Sequence, residues 1–403
     1  MTPARVLYLN PTARMGGAEY SILDLAASLD RARFAPALVC LGDGPLVHEA
    51  AARGIEVTTV PLAGRFGRVS LKGERSGAAG LAAAAASAAP MALRIRRLAA
   101  RAHIVHTNGN KAHMLGAIAA RRAQLVWHVR DFWRKGRFER TMAQLANRRA
   151  GAVIANSGAV GEHIAEFGIC RALVHVVPNG IDTDRFTPDG PAASLREELG
   201  WPAGIPLIGI PGMLARWKGQ DVVLRAFAEI LRARPDVRCV IVGDEIYVTR
   251  GQTGFSHELR ELVRELGIAH AVAFTGYRHD VPAVLRALDV VVHASVEPEP
   301  FGRVVGEAMA CARPVVATNA GGVPEVAGGS TALLVPPGDV PAMARAITHL
   351  LDDRADARKR ADAGRERILC TFPLSTHVER VQMLYERLLS SPAGRQSLVK
   401  ARC

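Results

Sequence analysis

The sequence contains no apolar run long enough to cross a membrane. Its softest stretch, Gly80 to Leu93, is mostly alanine, contains Pro90 and continues into a cluster of arginines, whereas a spanning helix needs about 20 apolar residues. The start of the chain also lacks the basic region and apolar core of a secretory signal, because a polar loop directly follows Leu9. These absences predict a cytoplasmic protein.

Signatures of several other protein classes are also missing. The six cysteines show neither the close pairing of a zinc site nor the density of a disulfide scaffold. The turn after the first strand lacks G-x-G-x-x-G, which gives little support to a dehydrogenase. Asp182 to Asp184 has the Asp-x-Asp spacing of metal-dependent transferases, but it lies among Pro and Gly residues and is interpreted as a turn. No metal site and no cofactor are predicted.

Positive charge is present in excess, and it lies mainly in the first half. Residues 1–190 contain 25 Lys and Arg against 14 Asp and Glu, while the remainder contains 26 against 24. This excess of positive charge in residues 1–190 suits an anionic partner, which could be a membrane surface, an acidic substrate or nucleic acid. A general codon preference for arginine would produce the same excess, so both interpretations stay open here.

Short runs rich in Val, Ile and Leu recur along the chain, each followed by a turn signal and a helical pattern. This order is typical of a parallel sheet with crossover helices. In the first half the runs are Arg5 to Leu9, Ala37 to Leu41, Val57 to Val60, Ile104 to His106, Leu125 to His128, Val153 to Ala155 and Val174 to Val177. In the second half they are Leu207 to Ile210, Val237 to Val242, Val272 to Phe274, Val290 to His293, Val315 to Ala317 and Leu333 to Val335.

A stretch dense in Pro, Gly and Asp, from Val177 to Ala192, separates the two series. Because single cores stop growing near roughly 250 to 300 residues, we predict an α/β fold with two Rossmann-like domains, residues 1–187 and 188–375, facing across a cleft. Residues 376–391 are predicted to form an amphipathic helix that packs back toward the N-terminal domain, and residues 392–403 a tail. The apolar face of that helix comprises Val378, Val381, Leu384 and Leu388.

The segment from His293 to Val326 concentrates residues that could carry chemistry. Its acidic loop contains Glu299, and Glu307 follows on a helix after seven intervening residues, so both carboxylates can face one pocket. Backbone N–H groups at the start of that helix have partial positive charge, and glycine permits close approach of a ligand. The arrangement predicts a ligand with phosphate oxygens and hydroxyls. The amides belong to Phe301, Gly302 and Arg303.

At these motifs the sequence resembles family 4 of the retaining glycosyltransferases, whose members share a two-domain fold called GT-B. The likeness covers nearly the whole chain and is strongest at EPFGRVVGEAMA and GGVPE, with further matches at GGAE, PNGID, VGD and FTGY. In that family the two glutamates contact the donor. The resemblance therefore implies Glu299 at the sugar, Glu307 at the ribose hydroxyls, and the amides after Glu299 at sugar hydroxyls and the diphosphate.

A cation for the diphosphate is expected in the loop GMLARWKG, from Gly212 to Gly219. By position the family pattern implies Lys218. The family usually has arginine directly after the first glycine, where this chain has Met213, so we predict that Arg216 supplies the second positive charge.

In the first half, Gly16 and Gly17 form a turn whose amides can approach a phosphate or sugar, and His128 ends a strand. A half-buried structural histidine would be the ordinary interpretation of His128. The family, however, places a histidine at this strand end against the donor sugar, and Arg130 and Asp131 are candidates for positioning that histidine or the acceptor.

The resemblance implies metal-independent transfer of a sugar from a nucleotide diphosphate sugar to an acceptor hydroxyl, with retention at the anomeric carbon. Catalytic roles are predicted for Glu299, His128 and Lys218. The acceptor is expected to be a glycan or a lipid-linked molecule in cell-surface synthesis. The basic half is expected to contact the inner face of the membrane, and no nucleic acid partner is expected. Alternatives are a nucleotide-sugar epimerase with the same type of fold, and a non-enzymatic binder of anionic membranes or polymers.

Overall fold

The computed structural model describes residues 2–61, 78–134, 136–246 and 254–390, and the side chains of residues 78–88 are left out. The basic loop from Arg65 to Arg75 and the predicted tail, residues 392–403, lie outside the described residues. Within them the chain divides into two compact units. The first contains the residues up to Pro178 and those from His377 onward, and the second runs from Asn179 to Thr376.

Seven parallel strands form the sheet of the first unit, in the order β3-β2-β1-β4-β5-β6-β7. Short buried runs of β-branched residues favour strands covered on both faces. The strands are β1 (Ala4–Asn10), β2 (Phe34–Cys40), β3 (Glu56–Thr59), β4 (Ile104–Asn108), β5 (Gln124–Val129), β6 (Ala152–Ala155) and β7 (Val174–Val176).

Helices connect these strands, as a parallel sheet requires. They are α1 (Gly17–Ala27), α2 (Pro45–Ala52), α3 (Ala78–Ala99), α4 (Asn110–Ala119), α5 (Arg137–Arg149) and α6 (Gly158–Glu166). Alanine-rich helix faces pack on the sheet around the buried Trp127 of β5. The strand order reverses between β1 and β4, so the loops after these two strands start at a topological switch point, where such sheets bind ligands.

The second unit repeats this plan with six parallel strands in the order β10-β9-β8-β11-β12-β13. The strands are β8 (Leu207–Pro211), β9 (Arg238–Val242), β10 (Val272–Phe274), β11 (Val290–His293), β12 (Val315–Thr318) and β13 (Leu333–Val335). The helices are α7 (Leu195–Glu198), α8 (Gln220–Ala233), α9 (Phe255–Glu265), α10 (Val281–Ala287), α11 (Arg303–Ala310), α12 (Val323–Thr331), α13 (Val340–Asp352) and α14 (Arg354–Thr371). Here the order reverses between β8 and β11.

Helix α15 (Leu374–Ser390), which ends the described part of the chain, has the apolar face that the sequence predicts. Val378, Val381, Leu384 and Leu388 are buried, together with Tyr385. The hydroxyl of Tyr385 lies 3.2 Å from that of Tyr8 on the central strand β1, so the C-terminal helix is anchored to the first sheet.

All thirteen predicted strands are present, and the predicted α/β class with two Rossmann-like domains is confirmed. The Asp-x-Asp stretch is a turn, because Asp182 Oδ1 accepts hydrogen bonds from the backbone N–H groups of Asp184 and Arg185 at 3.2 and 3.0 Å. Its carboxylate therefore has a local structural role.

Candidate functional site

Two predicted site residues meet at the switch point of the second sheet. Lys218 follows β8 in a 3-10 turn, and Glu299 lies in the loop after β11. The Lys218 ammonium donates to both carboxylate oxygens of Glu299, at 2.8 and 2.7 Å. Both side chains are largely buried, so this ion pair is shielded from solvent.

Two further groups hold the Glu299 carboxylate from the other side. His293 Nε2 and Ser295 Oγ each lie 2.7 Å from Oε2 of Glu299. The opposite ring nitrogen, His293 Nδ1, lies 3.3 Å from the hydroxyl of Thr318 on β12. A buried carboxylate accepts but cannot donate, so His293 and Ser295 both donate to it and fix its orientation.

The ionisation of Glu299 follows from these partners. Burial by itself would raise the pKa of the carboxyl, but the charge of Lys218, the charge of His293 and their hydrogen bonds hold that pKa well below its ordinary value. Glu299 is therefore a carboxylate at neutral pH, with a fixed position and a permanent charge.

Glycine is needed where the backbone of Glu299 touches the turn after β12. Gly321 has φ +64°, and a Cβ at this position would lie 2.2 Å from the carbonyl oxygen of Glu299. The next residue, Gly322, donates its N–H to the same oxygen at 2.8 Å. The GGVPE motif thus positions the acidic loop through close backbone contact.

The loop after β8 presents Lys218 on an aromatic surface. Its ammonium lies 4.4 Å from the ring centroid of Trp217. Arg216, predicted as the second cation, forms an ion pair with Glu258 and stacks over the ring of Phe255 at 5.2 Å. The structure therefore brings Lys218, but not Arg216, to the carboxylate of Glu299.

The segment after Glu299 is buried or partly buried throughout. Phe301 is buried and lies edge-on to Phe372, at 5.9 Å between ring centroids, so its side chain belongs to the core. Gly302 is the N-cap of α11, with φ +88°. One turn into the helix, Arg303 Nε donates to Glu307 Oε1 at 2.6 Å. Glu307 is thus fixed by an ion pair of its own.

In the first unit, the loop after β1 leads to Gly16 and Gly17 at the N-terminus of α1. Gly16 is in extended conformation, and a Cβ on Gly17 would meet nothing within 4 Å. Neither position therefore has a backbone conformation that only glycine could adopt. Beside this turn, Asn108 at the end of β4 donates to Asn10 at the end of β1, at 2.6 Å, which ties the two strands together at the switch point.

His128 lies near the end of β5 and is completely buried. Its Nδ1 lies 3.0 Å from Arg130 Nη2 and 3.1 Å from His106 Nε2. Arg130 is held in turn by Asn108 Oδ1 at 3.0 Å and Ser21 Oγ at 2.8 Å. Arg130 and His128 are therefore in direct contact.

Burial dominates the ionisation of these histidines. It lowers the pKa of His128 well below the ordinary value, and the positive charge of Arg130 lowers it further. The same two causes lower the pKa of His106. Both rings are neutral at physiological pH, because a second charge beside Arg130 in a buried site is strongly disfavoured.

Several residues of these clusters are absent from the predicted site. His293 ends β11 and Ser295 follows two residues later, before Glu299. Side chains two residues apart on an extended chain point to the same side, so this spacing could have indicated that His293 and Ser295 lie together. His106 at the centre of β4 and Tyr385 in α15 gave no such signal, because their contacts join distant parts of the chain.

Within the described ranges, no group of three or more His, Cys, Asp or Glu side chains is arranged to hold a metal ion. Likewise, no helix formed by those residues has the length and apolar character required to cross a bilayer.

Comparison with known proteins identifies relatives of both units. Residues 15–185 match the family described as Glycosyltransferase Family 4, and residues 205–353 match Glycosyl transferases group 1. The Anabaena protein HepE, solved in complex with UDP and glucose, is 28% identical with a TM-score of 0.82, over 96% of this chain and 99% of that one.

Two curated relatives give similar results. The lipopolysaccharide core biosynthesis mannosyltransferase LpsB of Rhizobium meliloti is 32% identical over 60% of this chain and 67% of its own length. The GDP-mannose-dependent alpha-(1-6)-phosphatidylinositol monomannoside mannosyltransferase of Mycolicibacterium smegmatis is 36% identical over 54% of this chain, and the match spans 57% of that enzyme's length. The family predicted from the sequence is confirmed: the chain belongs to glycosyltransferase family 4.

Proposed function

We propose that this protein transfers a hexose from a nucleotide diphosphate sugar to an acceptor hydroxyl, with retained anomeric configuration and without a metal ion. The observation that carries the proposal is the buried Lys218–Glu299 pair at the switch point of the second sheet. A cation fixed beside a carboxylate at this edge suits a ligand that has both phosphate oxygens and sugar hydroxyls. HepE, which this chain resembles over 96% of its length, was solved with UDP and glucose.

Lys218 is proposed to neutralise the leaving group. An ammonium has three N–H donors, and the two hydrogen bonds to Glu299 leave one for a phosphate oxygen. When the bond between C1 of the sugar and the phosphate oxygen breaks, its electron pair goes to the diphosphate, where Lys218 and the amides at the start of α11 stabilise the charge. The acceptor oxygen forms the new bond to C1 from the same face.

The acceptor proton is proposed to move to the departing diphosphate oxygen, so that no protein base is required. Glu299 then has a positioning and electrostatic role, because its low pKa and its three donors make it a poor proton acceptor. We propose that it orients the sugar hydroxyls and the Lys218 ammonium. Glu307 is proposed to bind the ribose hydroxyls, and the amides of Gly16 and Gly17 are proposed to bind the donor.

A thermal shift assay with UDP-glucose and GDP-mannose tests donor binding. A ligand at 100 times its dissociation constant adds about 2.7 kcal/mol to the free energy of unfolding, so the correct donor should raise the melting temperature by several degrees. Lys218→Ala should abolish this shift, whereas Lys359→Ala, a matched change at an exposed lysine of α14, should retain it. If no nucleotide diphosphate sugar stabilises the wild-type protein, the proposed function is wrong.

Product analysis tests the reaction itself. Transfer to an acceptor in the presence of a metal chelator, with the donor's anomeric configuration in the product's NMR spectrum, would support a retaining, metal-independent transferase. Conversion of the nucleotide sugar into an epimer without any acceptor would instead identify a nucleotide-sugar epimerase. Loss of transfer with the chelator, restored by a divalent cation, would contradict the metal-independent mechanism.

The acceptor is proposed to be a glycan or lipid-linked molecule in cell-surface glycan or glycolipid synthesis, reached at the cytoplasmic face of the membrane. The names of LpsB and of the mycobacterial enzyme both refer to glycolipids. On α3 and just after it, Arg94, Arg97 and Arg101 are exposed at helical spacing, with the exposed Leu93 beside them. Arg96 adds a fourth exposed charge, and Arg134, Arg137 and Arg140 a further exposed group.

Sedimentation with vesicles tests membrane docking. Each basic residue near an anionic surface contributes about 1 kcal/mol, so the triple change of Arg94, Arg97 and Arg101 to Ala should weaken binding to phosphatidylserine vesicles by roughly a hundredfold at low salt. The matched control replaces Arg225, Arg232 and Arg345, three exposed arginines of the second unit. If the wild-type protein stays in the supernatant at low salt, docking fails and a soluble acceptor is favoured.

A further inference from the structure

The hydrogen bonds around His128 decide which of its ring nitrogens holds the proton. A neutral histidine has one N–H donor and one bare nitrogen acceptor, and the partners of one nitrogen assign the other. An arginine side chain can only donate. Because Arg130 Nη2 lies 3.0 Å from Nδ1 of His128, that nitrogen is the acceptor, and the proton of the neutral ring is on Nε2.

The same reasoning extends to His106. Its Nε2 lies 3.1 Å from the bare Nδ1 of His128, and a bare nitrogen there would place two lone pairs against each other. His106 therefore donates through Nε2, which leaves its own Nδ1 as an acceptor. The hydroxyl of Tyr385, 2.6 Å from that Nδ1, must then be a donor.

The Tyr385 hydroxyl, which donates to His106, accepts a hydrogen bond from a second hydroxyl. Tyr8 Oη lies 3.2 Å from Tyr385 Oη, and since the single proton of Tyr385 goes to His106, the proton between the two hydroxyls belongs to Tyr8. The hydrogen bonds therefore run in one direction, from Tyr8 through Tyr385 and His106 to His128. All four side chains are completely buried, so water does not compete for these contacts.

This chain of hydrogen bonds ends at an unsatisfied donor, the Nε2–H group of His128. Nε2 of His128 has less than 1 Å² of exposed surface and no hydrogen-bond partner among the residues that the structure describes. A buried N–H without an acceptor destabilises the folded protein. A histidine whose other nitrogen is fixed by two donors cannot remove this cost by changing tautomer.

We propose that Tyr8, Tyr385, His106 and Arg130 are positioning residues that fix His128 as a neutral Nε2–H donor to an oxygen of the bound sugar. The identity of the acceptor oxygen rests on the proposed function, whereas the tautomer does not. His128 then acts by directional hydrogen bonding, and it does not accept or release a proton during transfer. Its low pKa agrees with this role, because the ring stays neutral.

Nitrogen-15 NMR of the histidine rings tests the tautomer without any substrate. In the ligand-free protein, long-range proton–nitrogen correlations of His128 should show a protonated Nε2 and a bare Nδ1, with the signals assigned by their loss in His128→Gln. A protonated Nδ1, or a doubly protonated ring, at about pH 7 would overturn the proposal. This measurement is independent of activity, so a protein that binds no sugar donor would contradict the proposed function and leave the tautomer to be judged separately.

Two amide substitutions test the role of the donor. The amide nitrogen of Gln can take the place of Nε2, whereas the shorter Asn reaches only the position of Nδ1. His128→Gln should retain kcat/KM within about tenfold of the wild-type value, and His128→Asn should lose on the order of 10² to 10³. Equal losses in two variants that remain folded by circular dichroism would overturn the donor role.

Tyr385→Phe tests the part of the hydrogen-bond chain that lies farthest from the donor site, with a minimal change. It removes the donor to His106 Nδ1, so the ring signals of His106 should shift while His128 keeps its Nε2 proton through Arg130. A hydrogen bond contributes about 0.5 to 1.5 kcal/mol, so kcat/KM should fall by roughly twofold to tenfold. A lower melting temperature with unchanged kcat/KM and unchanged His106 signals would show that Tyr385 is only a packing residue.

Discussion

The cluster around His128 in the first unit and the cluster around Glu299 in the second hold their buried polar side chains in contrasting ways. In the first, a chain of neutral hydrogen bonds runs from Tyr8 to His128, and Arg130 is the charged group beside it. In the second, the Lys218–Glu299 contact is an ion pair. Neutral groups are less costly to bury than charges but act only through direction, whereas buried charges act at longer range and need a compensating partner.

Under the proposed function, this contrast corresponds to the two kinds of group in a nucleotide diphosphate sugar. Uncharged hydroxyls are distinguished by the direction of a hydrogen bond, and a neutral N–H donor such as that of His128 is sufficient. A diphosphate needs positive charge, which Lys218 can supply because Glu299 compensates it in the absence of ligand. A substitution at His128 would therefore remove a directional hydrogen bond, whereas a substitution at Lys218 would remove a positive charge.

The largest effect is expected from breaking the ion pair. Glu299→Ala and Lys218→Ala should each lower turnover by about 10² to 10³, because a preorganised charge contact is lost. Glu297→Ala is the matched control, since Glu297 is exposed in the same loop, and it should retain wild-type turnover. Circular dichroism would verify that all three variants are folded. Wild-type turnover in either ion-pair variant would contradict the site assignment.

Acid should destabilise the first unit through its buried histidines. Burial lowers the pKa of His113 from 6.5 to about 3, and lowers those of His106 and His128 below their ordinary values as well. Below about pH 6.5 the unfolded chain binds protons that the folded protein does not. The free energy of unfolding is therefore fully retained above that pH and falls below it, by up to about 1.4 kcal/mol per pH unit for each ring.

Urea unfolding at several values between about pH 7 and pH 5 would measure this slope. His113→Asn should flatten it, because one of the three rings is removed while the side-chain N–H at the Nδ1 position is kept. His257→Asn, a change at an exposed histidine of α9, should leave the slope unaltered. A slope that is identical in the wild-type protein and both variants would show that His113 does not contribute.

The smallest effect is expected at Arg216. Its ion pair with Glu258 is exposed and contributes at most about 1 kcal/mol, whereas a charge-assisted contact with phosphate contributes about 1.5 to 3 kcal/mol. We therefore expect Arg216 to exchange Glu258 for the diphosphate. Arg216→Ala should weaken nucleoside diphosphate binding by roughly threefold to thirtyfold and monophosphate binding much less, as measured by calorimetry.

Two controls complete the Arg216 experiment. Arg225→Ala removes an exposed arginine of α8 and should not alter either affinity. Glu258→Gln should slightly strengthen diphosphate binding, because the competing carboxylate is removed. If Arg216→Ala weakens both nucleotides equally or neither, Arg216 is a surface cation, and Met213→Arg should then be tested for a gain of affinity.

Sequence alone predicts the fold well and the site in part. Strand positions follow from local runs of β-branched residues, and the ends of parallel strands then give the approximate positions of Lys218 and Glu299. The ion pair of Arg216 with Glu258 was not predicted, because helix α9 approaches that loop only in three dimensions. Which cations meet which carboxylates depends on such approaches.

The chain of hydrogen bonds in the first unit illustrates the same limit more strongly. His106 and Tyr385 are separated by 279 positions, and nothing near either residue in the sequence indicates the other. Each would be interpreted as an ordinary buried aromatic residue. A pattern with a period of two or 3.6 residues shows which side of an element is buried, but it does not show which hydrogen bonds cross the core.

The distance between Tyr8 and Tyr385 along the chain, 377 positions, has a consequence for biosynthesis. Domains fold in order as they leave the ribosome, so β1, β4 and β5 are complete long before α15 is made. Until then His106 has no tyrosine donor, and the first sheet exists without its finished hydrogen-bond chain. We expect nascent chains that end before α15 to have the first sheet but an unfinished donor site, which is completed only when α15 has docked.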